Sequence, residues 1–253
     1  MRLTPIIFML LLIAASCKKE SSSEKAGSHS MSIRFRVRAG DSLLSFGKPY
    51  LNAFNETFSI KTFKCYIHGV RLSHTDSINS SNLIAANHYL LNFADSNSTL
   101  LKLDVIPSVY NLITFTIGVD SIKNVSGAQN DALDPSNGMF WTWNTGYIMA
   151  KLEGNSPSAL TPGNMFEYHI GGYGGANKVQ RYCELRFPLG AIYDLKSGRR
   201  SEIIIDADVN TWFINPNDIS IRLNPVCTTE GPLAKKIADN YSKMFNIRSV
   251  KVY

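Results

Sequence analysis

The chain has 253 residues, with 26 Lys and Arg against 20 Asp and Glu, a formal net charge of +6 and 44% hydrophobic residues. That is enough chain for one large β domain or two small ones, with an ordinary globular apolar content. The positive balance comes without a long basic run or a recognition helix, so it does not point to nucleic acid.

Residues 1–16 read as a leader. Arg2 gives a positive start, Ile6 to Ile13 an apolar run, and Ala14-Ala15-Ser16 small residues before Cys17. The run is too short to span a bilayer as a helix. Small residues ending in cysteine resemble the lipobox of bacterial lipoproteins, and Cys-Lys-Lys-Glu resembles the start of many Bacteroidetes lipoproteins. That resemblance implies acylation of Cys17 and a membrane anchor, at an outer membrane and facing the periplasm or the cell surface. Plain secretion is the simpler alternative. Residues 17–30 are polar and cannot bury apolar area, so a disordered tether is expected, with His29 solvated. Residues 31–253 are expected to form one domain.

Ser32 to Arg38 alternates apolar and basic residues, the pattern of a half-buried strand. Its Arg34, Arg36 and Arg38 share a face, suited to solvent or to anionic lipid heads. Strand-like segments follow at Thr57–Leu72, His88–Phe93, Leu100–Val105 and Tyr110–Val119. Periodicity then stops from Asp120 to Gly138, a loop long enough to suggest a function. Its carboxylates and amides suit hard cations or turns equally well, and EF-hand spacing is absent. Strands are expected again at Gly146–Leu152, Met165–Ile170, Val179–Pro188 and Glu202–Val209. Gly171-Gly172-Tyr173-Gly174-Gly175 lacks the Gly-Lys-Ser/Thr of a phosphate loop. Pro232–Phe245 is the one clear helix, with Leu233, Ile237, Tyr241, Met244 and Phe245 in a stripe. Many strands, glycine-rich connections and one late helix predict a mainly β fold, an antiparallel β-sandwich with a short C-terminal helix. Apart from Cys17 there are three cysteines, Cys65, Cys183 and Cys227, which allow at most one internal disulfide. No Cys-x-x-Cys occurs, and no Gly-x-Ser-x-Gly or His-Glu-x-x-His supports hydrolysis, so no enzyme is expected.

The chain is organised around Gly138-Met139-Phe140-Trp141-Thr142-Trp143, continuing to Gly146-Tyr147 and Lys151-Leu152-Glu153-Gly154. Two of the three tryptophans lie here, two residues apart, so a strand would put both indoles on one face. Gly138, Gly146 and Gly154 suggest turns or close approaches. The plain reading of such a run is the core side of a strand.

With its flanks, the run resembles the MbnP-like copper-binding family of secreted bacterial proteins. The matching pieces include Phe63-Lys64-Cys65-Tyr66-Ile67, His88-Tyr89-Leu90-Leu91-Asn92-Phe93, Ala132-Leu133-Asp134-Pro135 and Tyr168-His169-Ile170-Gly171-Gly172. The resemblance covers roughly residues 31–250. It implies an extracytoplasmic binding protein with copper held by histidines. In some members an oxidised tryptophan, kynurenine, adds a ligand, and a dihaem cytochrome-type oxidase is the associated partner. On this chain the implied copper ligands are His169, His88, Met139 and Trp141, with Trp141 favoured over Trp143 for oxidation; acquisition or storage of copper is the implied role. Imidazole and thioether suit soft copper(I). Alternation sets His169 and Glu167 opposite Phe166, Tyr168 and Ile170, which fits a ligand or a surface histidine. One departure stands out: family members often carry a histidine in the first strand, where this chain has Arg36 and Arg38. The alternative is a metal-free β-sandwich module that recognises a partner on the cell surface.

Overall fold

The computed structural model describes residues 27–75, 81–141, 143 and 146–253. Residues 1–16, Cys17 and most of the expected tether lie outside the described residues.

Among the described residues, fifteen strands carry the fold. The first eight are β1 (His29–Ala39), β2 (Ser42–Leu43), β3 (Pro49–Leu51), β4 (Thr57–Ser73), β5 (Asn82–Asn92), β6 (Leu100–Val105), β7 (Ser108–Tyr110) and β8 (Leu112–Ile117). After the short helix α1 (Ser121–Val125) come β9 (Ile148–Asn155), β10 (Met165–Gly171), β11 (Arg181–Arg186), β12 (Tyr193–Leu195), β13 (Arg200–Asp208) and β14 (Val226–Cys227). Helix α2 (Pro232–Tyr241) and β15 (Phe245–Val252) close the chain.

One sheet runs β15-β13-β1-β2, with β6 also on β1; the larger runs β11-β8-β4-β9-β10-β14, with β3 and β5 on β4; β12 and β7 form a small third pair. In β1 alternation does what the sequence asks. Met31, Ile33, Phe35 and Val37 are buried, and the arginines between them lie partly exposed on the other face. The two large sheets meet through Phe35 of β1, Phe115 of β8 and Phe245 of β15, whose rings contact edge-on at 5.2–5.9 Å. The architecture is therefore mainly β and sandwich-like, as expected. The sheets are mixed rather than antiparallel, because β1 pairs with β13 and β10 with β14 in parallel. Such long-range pairs leave no local trace in sequence.

Three further differences have local causes. The helix ends at Tyr241 rather than Phe245; Phe245 starts β15 and enters the core as a strand residue. The stretch after Asp120 is not structureless. Asp120 caps α1 by accepting from Lys123 N at 2.9 Å, and two 3-10 turns follow at Asp131–Leu133 and Pro135–Asn137. His29 is fully buried at the start of β1, its Nδ1 donating to Lys196 O at 2.9 Å, so it is not solvated. Cys65, Cys183 and Cys227 are free and buried.

Candidate functional site

The site is built on the outer face of β10, β9 and β4. Phe166, Tyr168 and Ile170 point into the core, which leaves Glu167 and His169 on the outer face. Strand register sets His169 opposite Lys151 and Lys151 opposite Lys64, one row across three strands. The next row is Thr62, Glu153 and Glu167. Within this patch His169 Nε2 lies 2.7 Å from Glu153 Oε1, and Lys151 Nζ lies 3.7 Å from the same oxygen. The hydrogen bond from His169 is the main cause that holds the Glu153 carboxyl down to about 2; Thr62 and Lys151 add to it, against burial. An ionised carboxylate only accepts, so Nε2 of a neutral His169 carries the hydrogen and Nδ1 keeps its lone pair. A carboxylate fixing one imidazole nitrogen is how proteins orient a histidine whose other nitrogen binds.

The tryptophan run lies over this face. The 3-10 turn Pro135–Asn137 ends on Gly138, whose left-handed φ of 69° suits glycine. Lys64 Nζ then donates to Asn137 O at 3.0 Å and Lys151 Nζ to Gly138 O at 2.7 Å. These lysines, which the sequence reading passed over, pin the start of the run to β4 and β9. The described residues of the run form no strand, and its two ends pair with each other. Ile148 N bonds Met139 O at 2.9 Å, Trp141 N bonds Gly146 O at 3.2 Å, and Phe140 and Tyr147 form an isolated bridge. Tyr147 N donates to the buried Asn124 Oδ1 at 2.9 Å, which locks the loop to α1.

Trp141 is 5% exposed and Trp143 is 62% exposed, with ring centroids 5.3 Å apart. The two indoles meet, as the spacing suggested, but one faces inward and the other solvent. Trp141 rests on Gly171 of β10: a Cβ there would stand 2.3 Å from Trp141 Cη2. This seat is two residues along the strand from His169. The Trp141 Nε1–H is buried with no hydrogen-bond partner. Replacing Gly171 by alanine is expected to lift the indole from its seat, at about 1–3 kcal/mol. A red-shifted tryptophan emission with increased acrylamide quenching would register the move; unchanged quenching would refute the seating role.

The four expected ligands do not converge. Met139 is fully buried among core residues. His88 lies on β5, three strand spacings from β10 across β9 and β4, because Asn92 pairs with Lys64. That separation is about 14 Å before the further offset along the strand, so His88 and His169 cannot share an ion. His88 instead faces His68 across β4 and β5, with ring centroids 4.8 Å apart, and its Nε2 lies 3.1 Å from Asp120 Oδ2. Burial, with help from His68 and Lys123 and against Asp120, pushes His88 down to about 4, so it is neutral at pH 7. The first strand does hold a histidine, the enclosed His29, while Arg36 and Arg38 are committed to Asp206 at 2.7 and 3.6 Å. Among the described residues, no three His, Cys, Asp or Glu side chains form a group able to hold a metal.

The sequence model of the MbnP family matches residues 28–229. MbnP from Methylosinus trichosporium, a solved structure, superposes with a TM-score of 0.53 at 15% identity, covering 89% of this chain and 99% of that one. The likeness to that structure is one of fold. No curated protein matches.

Proposed function

Because the chain belongs to the MbnP family, we propose that it is a copper-binding protein of the bacterial cell envelope, tethered through an acylated Cys17. Acyl chains would hold it at a membrane through buried methylenes, and acquisition or storage of copper is the role in view. The observation that carries the copper reading is His169. Its imidazole is oriented by Glu153 at 2.7 Å and lies two residues along β10 from Gly171, the seat of Trp141.

The donor set fits copper in part. One oriented imidazole suits the soft ion, and an unpartnered indole nitrogen nearby marks where an oxidised Trp141 would add a second donor. The exposed Trp143, in ring contact with Trp141, is the surface that a dihaem oxidase would meet. Arg36 and Arg38 supply no ligand from the first strand. The shortage of donors favours a second reading, a metal-free module whose exposed Trp143 contacts a partner.

Copper titration separates the two. A ligand bound only by the native state at a free concentration a hundredfold above its Kd adds about 2.7 kcal/mol. Under the copper reading the thermal midpoint rises with copper(I) in the wild type and not in His169→Ala, and metal analysis of native protein finds near-stoichiometric copper. A wild-type midpoint indifferent to copper would transfer the case to the metal-free reading. Intact mass on the same sample reports any oxidation of Trp141 or Trp143.

A further inference from the structure

We propose that His68 and His88 form a second site, a two-imidazole chelate for a divalent transition-metal ion such as zinc(II) or copper(II), on the opposite flank of β4 from the His169 face. The proposal does not rest on the copper reading of His169.

Three observations support it. The two histidines are direct cross-strand partners in an antiparallel pair, so their side chains leave the sheet on one side. The rings lie together, stacked at 4.8 Å and 26°, and a side-chain rotation that turns their in-plane lone pairs toward each other brings two nitrogens to the roughly 3.3 Å that one tetrahedral ion spans. Next, the backbone aims His68. Both ladders of β4 shift register between His68 and the following residues, and Gly69 takes φ +63°, a bulge of the kind that re-aims a side chain. His68 Nδ1 then lies 2.8 Å from Gly118 O. A carbonyl only accepts, so Nδ1 carries the hydrogen and Nε2 of the neutral ring is left with its lone pair. This is the outer-shell arrangement that prepares a ligand histidine.

Finally, His88 has a route to solvent and a nearby hard donor. His88 lines a polar cavity of about 680 Å³ together with Asp120, Lys123, Gln129, Asn130 and Asp131. Asp120 Oδ2 is 3.1 Å from His88 Nε2 and partly exposed, placed to take a coordination position or to hold a bound water. Mixed imidazole and carboxylate donors suit zinc(II) and copper(II). As the side chains stand, the chelate has two donors rather than three, with water completing the sphere. Lys123 on the cavity wall opposes the ion's charge, so the site is of moderate affinity.

The test uses tag-free protein and zinc chloride in chelator-free buffer, followed by calorimetry. The wild type is expected to bind an equivalent of zinc. His68→Phe and His88→Phe keep the ring stack and are each expected to weaken that binding by about tenfold or more. Asp120→Asn keeps the helix cap and weakens it less. His169→Ala and His74→Ala are expected to leave it unchanged. In the wild type, zinc should shift the ring nitrogens of His68 and His88 in long-range ¹H–¹⁵N spectra and leave His169 in place, a readout that needs no variant to fold. No zinc binding, binding unaffected by both Phe variants, or binding abolished by His169→Ala or His74→Ala would each overturn the proposal. Failure of copper to bind at His169 would leave the zinc result intact, and the reverse also holds.

Discussion

Replacing Glu56 by alanine is expected to lower the free energy of unfolding by about 3 kcal/mol or more. The carboxylate is buried and accepts four hydrogen bonds: Oε1 from Ser220 Oγ at 2.7 Å and Arg222 N at 2.9 Å, Oε2 from Asn52 Nδ2 at 2.7 Å and Ile221 N at 2.8 Å. Alanine would strand two backbone N–H groups that have no other acceptor. It would also loosen the segment leading to β14, the strand that flanks β10. Glu56→Gln keeps one carbonyl oxygen but turns an NH₂ group toward donors, so it should fall between. Urea unfolding measures both, and an alanine variant within about 0.5 kcal/mol of wild type would show that the carboxylate is not a staple. The same group sets an acid limit. Burial alone would raise its pKa, but the hydrogen bonds from Asn52, Arg222, Ser220 and Ile221 outweigh it and hold Glu56 below 4.5. A depressed carboxyl contributes its full stability above the unfolded pKa and loses it as pH falls through the folded one. Glu153, held down to about 2, acts in the same window from 4.5 downward. His88 starts earlier. Its unfolded form takes a proton near 6.5 while the folded form resists to about 4, which also costs stability as pH drops. Stability should therefore decline in two stages on acidification, and the lower stage should shrink in Glu56→Ala.

Gly154→Ala should be the most damaging single-methyl addition. A Cβ at Gly154 would stand 1.9 Å from the carbonyl oxygen of Ser59 and 2.8 Å from the Phe166 ring. The carbonyl belongs to β4, where Ile60 pairs with Gly154. It cannot swing away without breaking the pairing on which the lysine and histidine rows depend. A loss at or above the upper end of overpacking, about 3 kcal/mol, is expected, with a visible fall in soluble yield. Gly138→Ala supplies the contrast. Nothing lies within 4 Å of its added methyl, so only the left-handed backbone resists, at about 1 kcal/mol. Equal losses in the two variants would remove the steric argument.

Much of the fold was legible where the physics is local. Alternation in β1 and β10 assigned inward and outward residues correctly, and the glycines at 138, 146 and 154 mark a turn and two close approaches. The family likeness, read from the Gly-Met-x-Trp-x-Trp run and its flanks, holds across residues 28–229. Illegible were the parallel pairings, the lysine pins and the His68–His88 stack, because each depends on which distant strand lies alongside. Lys64, Lys151 and His169 are spread over more than a hundred positions of sequence, yet form one row on the sheet. His29 is buried where a solvated tether is expected, because a strand beginning inside polar sequence carries no local signal; its partners lie on β6 and at Lys196.

The three enclosed sulfurs also give the molecule its own gauge. Burial raises the Cys183 thiol to about 12 and Cys227 to about 11, and pushes Cys65 higher still, so almost no thiolate exists while the sandwich is closed. An alkylating reagent can reach them only during excursions that part the sheets. Its uptake, followed by mass over time, would count those excursions directly. Differences among the three positions would show which seam parts first.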